Sequence, residues 1–151
     1  MAVRSREFHF PVDVEWSGGR RTTARVEGKA PLDIATPPEF KGTDPTVWSP
    51  EDAFVAAAAS CLAVTIAGMA DREGLAMRAL SVSADGVVGR REDGAFGFTR
   101  ITQQVSLAVG AEHEDAARAL VEKAHATCLV AVSLDLPVDT TIEIRHDLAE
   151  V

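Results

Sequence analysis

The sequence contains no tyrosine, and aromatic residues make up only 5% of it. Proteins that hold single-stranded nucleic acid stack bases on exposed aromatics set beside basic residues, and this chain has little of either to offer. Basic runs are short: none exceeds the pairs Arg20-Arg21 and Arg90-Arg91. Fifteen Lys and Arg stand against 23 Asp and Glu, a formal net charge of −8. That sign repels phosphate backbones and anionic membrane surfaces, so no nucleic-acid and no membrane partner is expected. The N-terminal stretch MAVRSREFHFPVDVEW lacks the continuous apolar region of a signal peptide. No apolar run is expected to reach the roughly 18 residues that cross a bilayer, which points to a cytoplasmic protein.

Metal and nucleotide signatures are missing as well. His125 and Cys128 stand three apart, while His9, His113 and His146 are scattered. A tetrahedral zinc site takes closely spaced ligand pairs, CxxC or HxxxH, so no metal is expected. There is no GxSxG, no phosphate-binding glycine loop and no GxGxxG, and no cofactor is expected. Only two cysteines occur, Cys61 and Cys128. In a reducing compartment both should be free thiols, and a bond between them would be catalytic or redox-sensing before it was structural.

What is present fits one globular domain over residues 1–151. Apolar residues make up 46% and charged residues 25%, close to the average for such proteins, with a core built from Ala, Val, Leu and Ile. FHFPVDVEW alternates and predicts a strand from Phe8 to Trp16; SGG turns the chain, and RRTTARVEG returns as a second strand. Residues 29–48 carry four prolines and read as an irregular loop with room for a short third strand. Ser49 then caps a helix, with Pro50 at its first position and Glu51 and Asp52 at its positive end. That helix should run from Pro50 to about Glu73 and stop at Gly74. Its interior, AFVAAAASCLAVTIAGMA, is apolar nearly all round, as in helices buried on most faces. Two strands follow, ALSVSADGVVG and FGFTRITQQVSLAVG, joined by RREDG. An amphipathic helix comes next with Ala117, Leu120, Val121 and Ala124 on one stripe, which Cys128 continues. VDTTIEIRH is the last strand. The class is α+β.

Each candidate site residue has an ordinary explanation. Cys61 sits about three turns into its helix, too far from the positive end for the dipole to activate it, and buried cysteines often act as small hydrophobes. Glu51 complements the helix dipole, Arg20 and Arg21 would be solvated hairpin charges, and Cys128 would be a small buried residue at a helix end. A reactive Cys61 needs a cation brought from elsewhere in the fold.

Together, SPEDAFVAAAASCLAV, KAHATCLVAVSLDLPVDTTIEI and EWSGGRRTTARVEG resemble, in that order, the OsmC/Ohr family of osmotically induced and organic hydroperoxide resistance proteins. The resemblance covers nearly the whole chain. It implies an intertwined homodimer in which the long central helices pack between sheets, with two active sites at the interface. It also implies a thiol peroxidase. Cys61 matches the nucleophile that attacks an organic hydroperoxide to give a sulfenic acid, and Cys128 matches the resolving cysteine that closes a disulfide. Arg20 matches the arginine that stabilises the thiolate, and Glu51 the carboxylate that holds the guanidinium. An external dithiol, a lipoylated or thioredoxin-like protein, would reset the enzyme.

Two departures stand out. Many hydroperoxide resistance members have proline after the second cysteine, whereas this chain has Leu129, which suggests a divergent OsmC-like branch. Arg20 and Arg21 are adjacent, so on a strand they face opposite sides, and Arg21 is the alternative arginine. Phe54, Leu62 and Trp48 are expected to form an apolar wall near Cys61. The alternatives to a peroxidase are a non-catalytic module that binds a small apolar ligand and a redox sensor without turnover.

Overall fold

The structure, a computed structural model, describes residues 6–146. It divides into two compact units, Met1–Ala53 and Phe54–Val151.

The first unit is a three-stranded antiparallel sheet, β1 (Asp13–Gly18), β2 (Arg21–Arg25) and β3 (Leu32–Ala35), in that order. The strand predicted from Phe8 starts only at Asp13. Pro11 lies just before it, and a proline has no N–H to give a ladder. Phe8, Phe10 and Val12 are exposed. The β1–β2 turn passes through Gly18 and Gly19 at φ 106° and 56°, a region closed to most side chains. The third strand does form, and beyond it the loop is irregular apart from one 3-10 turn, Pro38–Phe40. Gly42 presses so close to the residue after β3 that a Cβ there would collide with the Thr36 carbonyl. The loop ends with Trp48, whose carbonyl accepts from the Ala35 amide at 2.8 Å.

Helix α1 spans Pro50–Glu73 and starts on a reciprocal cap. Asp52 N–H donates to Ser49 Oγ at 3.0 Å, and Ser49 N–H donates to Asp52 Oδ2 at 2.8 Å. Two amides that the helix cannot satisfy are thereby paired. Its far end closes on Gly74 at φ 69°, with Leu75 N–H bonded to Ala70 O at 2.9 Å. Gly74 supplies the left-handed residue that such a helix end takes.

In the second unit β4 (Met77–Arg90) and β5 (Phe96–Val109) form a long hairpin, and β6 (Val138–Arg145) pairs parallel to β5. A parallel partner requires a crossover, which α2 (Glu114–Thr127) supplies. A one-turn helix absent from the sequence reading, α3 (Leu129–Val132), follows directly. The core joins Leu62, Ile66, Met69 and Ala70 of α1 to Val105, Leu107 and Val109 of β5 and to Ala117, Leu120, Val121, Ala124 and Cys128. Helix α1 approaches the hairpin closely at its upstream end. Phe54 and Phe98 rings meet at 4.6 Å, and Gly86 gives the room, since a Cβ there would lie 2.5 Å from Val55 Cγ2 and 2.7 Å from Phe98 Cε1.

Two expectations about α1 need correction. By length and composition the helix is apolar enough to cross a membrane, with mean hydropathy 2.0 over an 18-residue window. Its partners here are the sheet and α2, so the same apolarity is used for core packing. Nor is it enclosed in the single chain: Ala57, Ser60, Val64 and Ala67 form an exposed stripe, with Val64 68% exposed.

The crowding at Gly86 sets an expected outcome. Gly86→Ala should lower unfolding free energy by about 1–3 kcal/mol through overpacking. Gly89→Ala, whose added carbon would meet only Thr99 Cγ2 at 3.7 Å, should be neutral or slightly stabilising. Urea unfolding of the two variants checks this.

Candidate functional site

Both thiols lie in the second unit, and both are free. Cys61 stands in the middle of α1, half-buried, and Cys128 is fully buried where α2 ends. Cys128 leaves the helical conformation at φ −61°, ψ 113°, and its N–H bonds back to His125 O at 3.3 Å. The chain turns helical again at once, and Val132 N–H closes the new turn on Cys128 O at 3.0 Å. This break brings the Cys128 thiol and the first amides of α3 to the Cys61 sulfur. First-turn amides have no carbonyl within their own helix to bond, and here those of Leu129 and Val130 serve Cys61.

The two sulfurs are thereby made unequal. Burial pushes the Cys61 thiol up. The Val130 amide, the Cys128 thiol, the Thr65 hydroxyl and the Leu129 amide outweigh it, so its pKa falls below the ordinary thiol value. For Cys128 burial is the largest influence and raises the pKa; the Ala131 amide pulls it down, the bond with Cys61 and its charge push it up, the Val130 amide pulls it down a little, and the net shift is upward. Cys61 is therefore the first of the two thiols to ionise as pH rises. The two contributions to stability depend on pH in opposite directions. That of Cys61 is present above the unfolded thiol pKa and is lost as pH falls through the depressed folded value. That of Cys128 is present below the unfolded pKa and is lost as pH rises through its elevated folded value.

Other members of the site were not evident in the sequence. Thr65 is one helical turn from Cys61 and also bonds the Cys61 carbonyl at 2.7 Å; its i+4 spacing was a readable signal. The Leu129 and Val130 amides left none, because any residue but proline carries an N–H. Behind Cys128, the His125 ring meets Thr140 Oγ1 through Nδ1 at 3.0 Å. Thr140 also lies 3.4 Å from Oε1 of the buried Gln103, which fixes the last turn of α2 to the middle of the sheet.

The charged candidates all lie in the first unit. Arg20 occupies the hairpin turn rather than a strand, because the paired glycines and a bulge between Trp16 and Gly18 delay β2 until Arg21. The expectation that the two arginines alternate across a strand therefore fails. Arg20 Nη1 donates to Phe40 O at 3.0 Å and Lys41 O at 3.4 Å. Arg21 Nη1 pairs with Asp44 Oδ2 at 2.6 Å. Asp44 is held below the usual carboxylate range first by the Thr46 hydroxyl and amide and then by Arg21. Glu51 is half-buried in the first turn of α1, and its Oε2 is shut away without a hydrogen-bond partner. Among the described residues no cluster of His, Cys, Asp and Glu is arranged to hold a metal. Leu62 is fully buried in the core, so it does not line an open wall as expected.

The donors around Cys61 can be removed singly. Cys128→Ala deletes the thiol donor, and Leu129→Pro deletes one amide. The Cys128 backbone already suits a residue before proline, and proline is welcome at a first helical position. Each change should move the pH midpoint of Cys61 alkylation upward, measured as iodoacetamide rate against pH in the reduced protein.

Comparison with known proteins gives a consistent outcome. The family model described as OsmC-like protein matches residues 42–143. Over 142 residues the chain is 28% identical to Uncharacterized protein YmaD of Bacillus subtilis (strain 168), spanning 91% of this chain and 93% of that one. An OsmC-like protein of unknown function from Vibrio cholerae superposes with a TM-score of 0.82 at 19% identity, over 90% of this chain and 99% of that one. An organic hydroperoxide resistance protein from Elizabethkingia anophelis does so with a TM-score of 0.74 at 19% identity, over 94% and 99%. At such identities the solved structures speak to the fold, and the family match covers about two thirds of the sequence: the chain belongs to the OsmC family.

Proposed function

We propose that the protein is a two-cysteine peroxidase that reduces organic hydroperoxides in the cytoplasm. The carrying observation is the meeting of the two free thiols at the break after α2, where the first amides of α3 and the Cys128 thiol serve Cys61 and lower its pKa while that of Cys128 is raised. In the first step the Cys61 thiolate attacks the terminal oxygen of ROOH. The O–O bond breaks, the sulfur is oxidised to a sulfenic acid, and RO⁻ takes a proton to leave as ROH. In the second step Cys128 sulfur attacks the sulfenic sulfur, expelling water and closing a Cys61–Cys128 disulfide. An external dithiol, lipoylated or thioredoxin-like, then returns both sulfurs to thiols and is itself oxidised to a disulfide.

Arg20, with Arg21 as its alternative, would polarise the peroxide, and Glu51 would hold the guanidinium. The unpartnered Oε2 of Glu51 supports this reading, because a buried acceptor without a donor is costly. The reading requires Arg20 to give up the Phe40 and Lys41 carbonyls. A homodimer is proposed with it, since the apolar stripe on α1 and the exposed Val14 and Trp16 of β1 call for a cover. A monomeric mass by sedimentation would count against the dimer.

The apolar preference rests on what surrounds the thiols. Leu129 and Val132 of α3, the turn that follows Cys128, are both more than 60% exposed. Seating an alkyl or aryl group there is worth about 1.5–3 kcal/mol, roughly tenfold or more in rate.

After one equivalent of cumene hydroperoxide, wild type should lose both thiols. Cys128→Ser should hold a trappable sulfenic acid, and Cys61→Ser should keep its remaining thiol. Hydrogen peroxide should oxidise Cys61 about tenfold more slowly or worse. Intact mass and thiol titration read these outcomes. Two unreacted thiols in wild type would leave an OsmC-family binding module without this chemistry.

A further inference from the structure

The face of the second sheet that turns away from α1 and α2 is lined in rows by strand register. Asp85, Thr102 and Asp139 share one row, followed by Ser83, Gln104 and Thr141, then Ser81, Ser106 and Glu143, then Ala79, Ala108 and Arg145. One end is acidic and the other is not. At the second end the Arg78 side chain reaches across β5 to donate Nη1 to His146 O at 2.9 Å. That bond brings its guanidinium to the end of β6, where Arg145 sits. Among the described residues, the acids at this end are Glu143, two residues before Arg145 on the same face, and Glu114, which is engaged by His146 Nε2 at 3.1 Å and Arg118 at 3.4 Å.

Among the described residues at this end, Arg145 Nε, Ser106 Oγ and His146 Nδ1 are out of reach of water and have no hydrogen-bond partner, and the first two are donors. An exposed arginine needs no partner because water serves it. A buried guanidinium nitrogen and a buried hydroxyl at diagonal positions of neighbouring strands, Ser106 opposite Glu143 and Arg145 opposite Ala108, do need one, since each unmet donor costs about 1–3 kcal/mol. Ala79 and Ala108 put only small side chains in the row that ends at Arg145. Planar guanidinium forks match the oxygens of a carboxylate or phosphate.

We propose that Arg78, Arg145 and Ser106 form an oxyanion-binding site on the outer face of this sheet, taking a carboxylate or phosphate group. The site is separate from the thiol pair, whose residues face the core side. Arg145 supplies a fork from one edge, Arg78 a second from the other, and Ser106 donates from β5. Glu143 competes for the same guanidinium and limits affinity.

Amide chemical shifts of the full chain, titrated with inorganic phosphate and separately with acetate at ionic strength held constant with chloride, test it. At least one anion should give saturable shifts centred on Ser106, Ala108 and Arg145. Phosphate alone would assign a phosphate ligand, and acetate alone a carboxylate. Arg145→Gln and Arg78→Gln should each weaken binding about tenfold, and Glu143→Gln should tighten it. If Arg145→Gln fails to fold, the exposed Arg78 decides through its own variant. Shifts that do not saturate, that chloride reproduces, or that persist unchanged in Arg78→Gln overturn the site.

Discussion

The contact between Cys61 and the break that follows α2 is the constraint on which the rest of the molecule depends. Cys61 lies in the interior of a 24-residue helix, where the dipole offers little and all its own backbone amides are committed. Its electrostatic partners have to come from another element. They do so because α2 stops at Cys128 and a new one-turn helix begins, which releases amides that no carbonyl claims. The sheet holds that break in place. Parallel pairing of β6 with β5 forces the crossover through α2, and the His125–Thr140–Gln103 chain fixes the last turn of that helix.

The composition of α1 follows from the same demand. A helix that packs against a sheet on one side and keeps a second apolar stripe on the other cannot carry bulky or charged residues in its interior. Alanine and glycine supply that slimness at little cost in side-chain entropy. The closest approach is relieved on the sheet side, at Gly86 facing Val55. The one polar group the helix adds near the sulfur, Thr65, satisfies its hydroxyl on the helix's own backbone, so it brings no unpaired donor into the core.

The first unit is organised differently. Its residues are mostly exposed or half-buried, with Ala35 and Ser49 its buried members among the described residues. Polar contacts and backbone geometry hold it instead. Arg20 grips two loop carbonyls, Arg21 and Thr46 share Asp44, and Gly42 closes on Thr36. Such interactions give shape more than stability, since exposed ion pairs contribute little. The exposed apolar side chains of β1 and of the segment before it are what the peroxidase reading assigns to a dimer surface.

The element order, the long helix from Pro50 to Glu73 with its cap and stop, the amphipathic stripe of α2 and the final strand were all fixed by local pattern, because periodicity, capping and glycine act within a few residues of chain. The same pattern placed both cysteines on apolar faces. It could not start β1 correctly across Pro11, nor foresee that two glycines would hold Arg20 in the turn. The meeting of Cys61 with Cys128, the service of the Leu129 and Val130 amides and the gathering of Arg78, Arg145 and Ser106 were decided only by tertiary structure. Each joins atoms from distant stretches of chain, and strand register and helix packing, rather than spacing in sequence, determine which atoms meet.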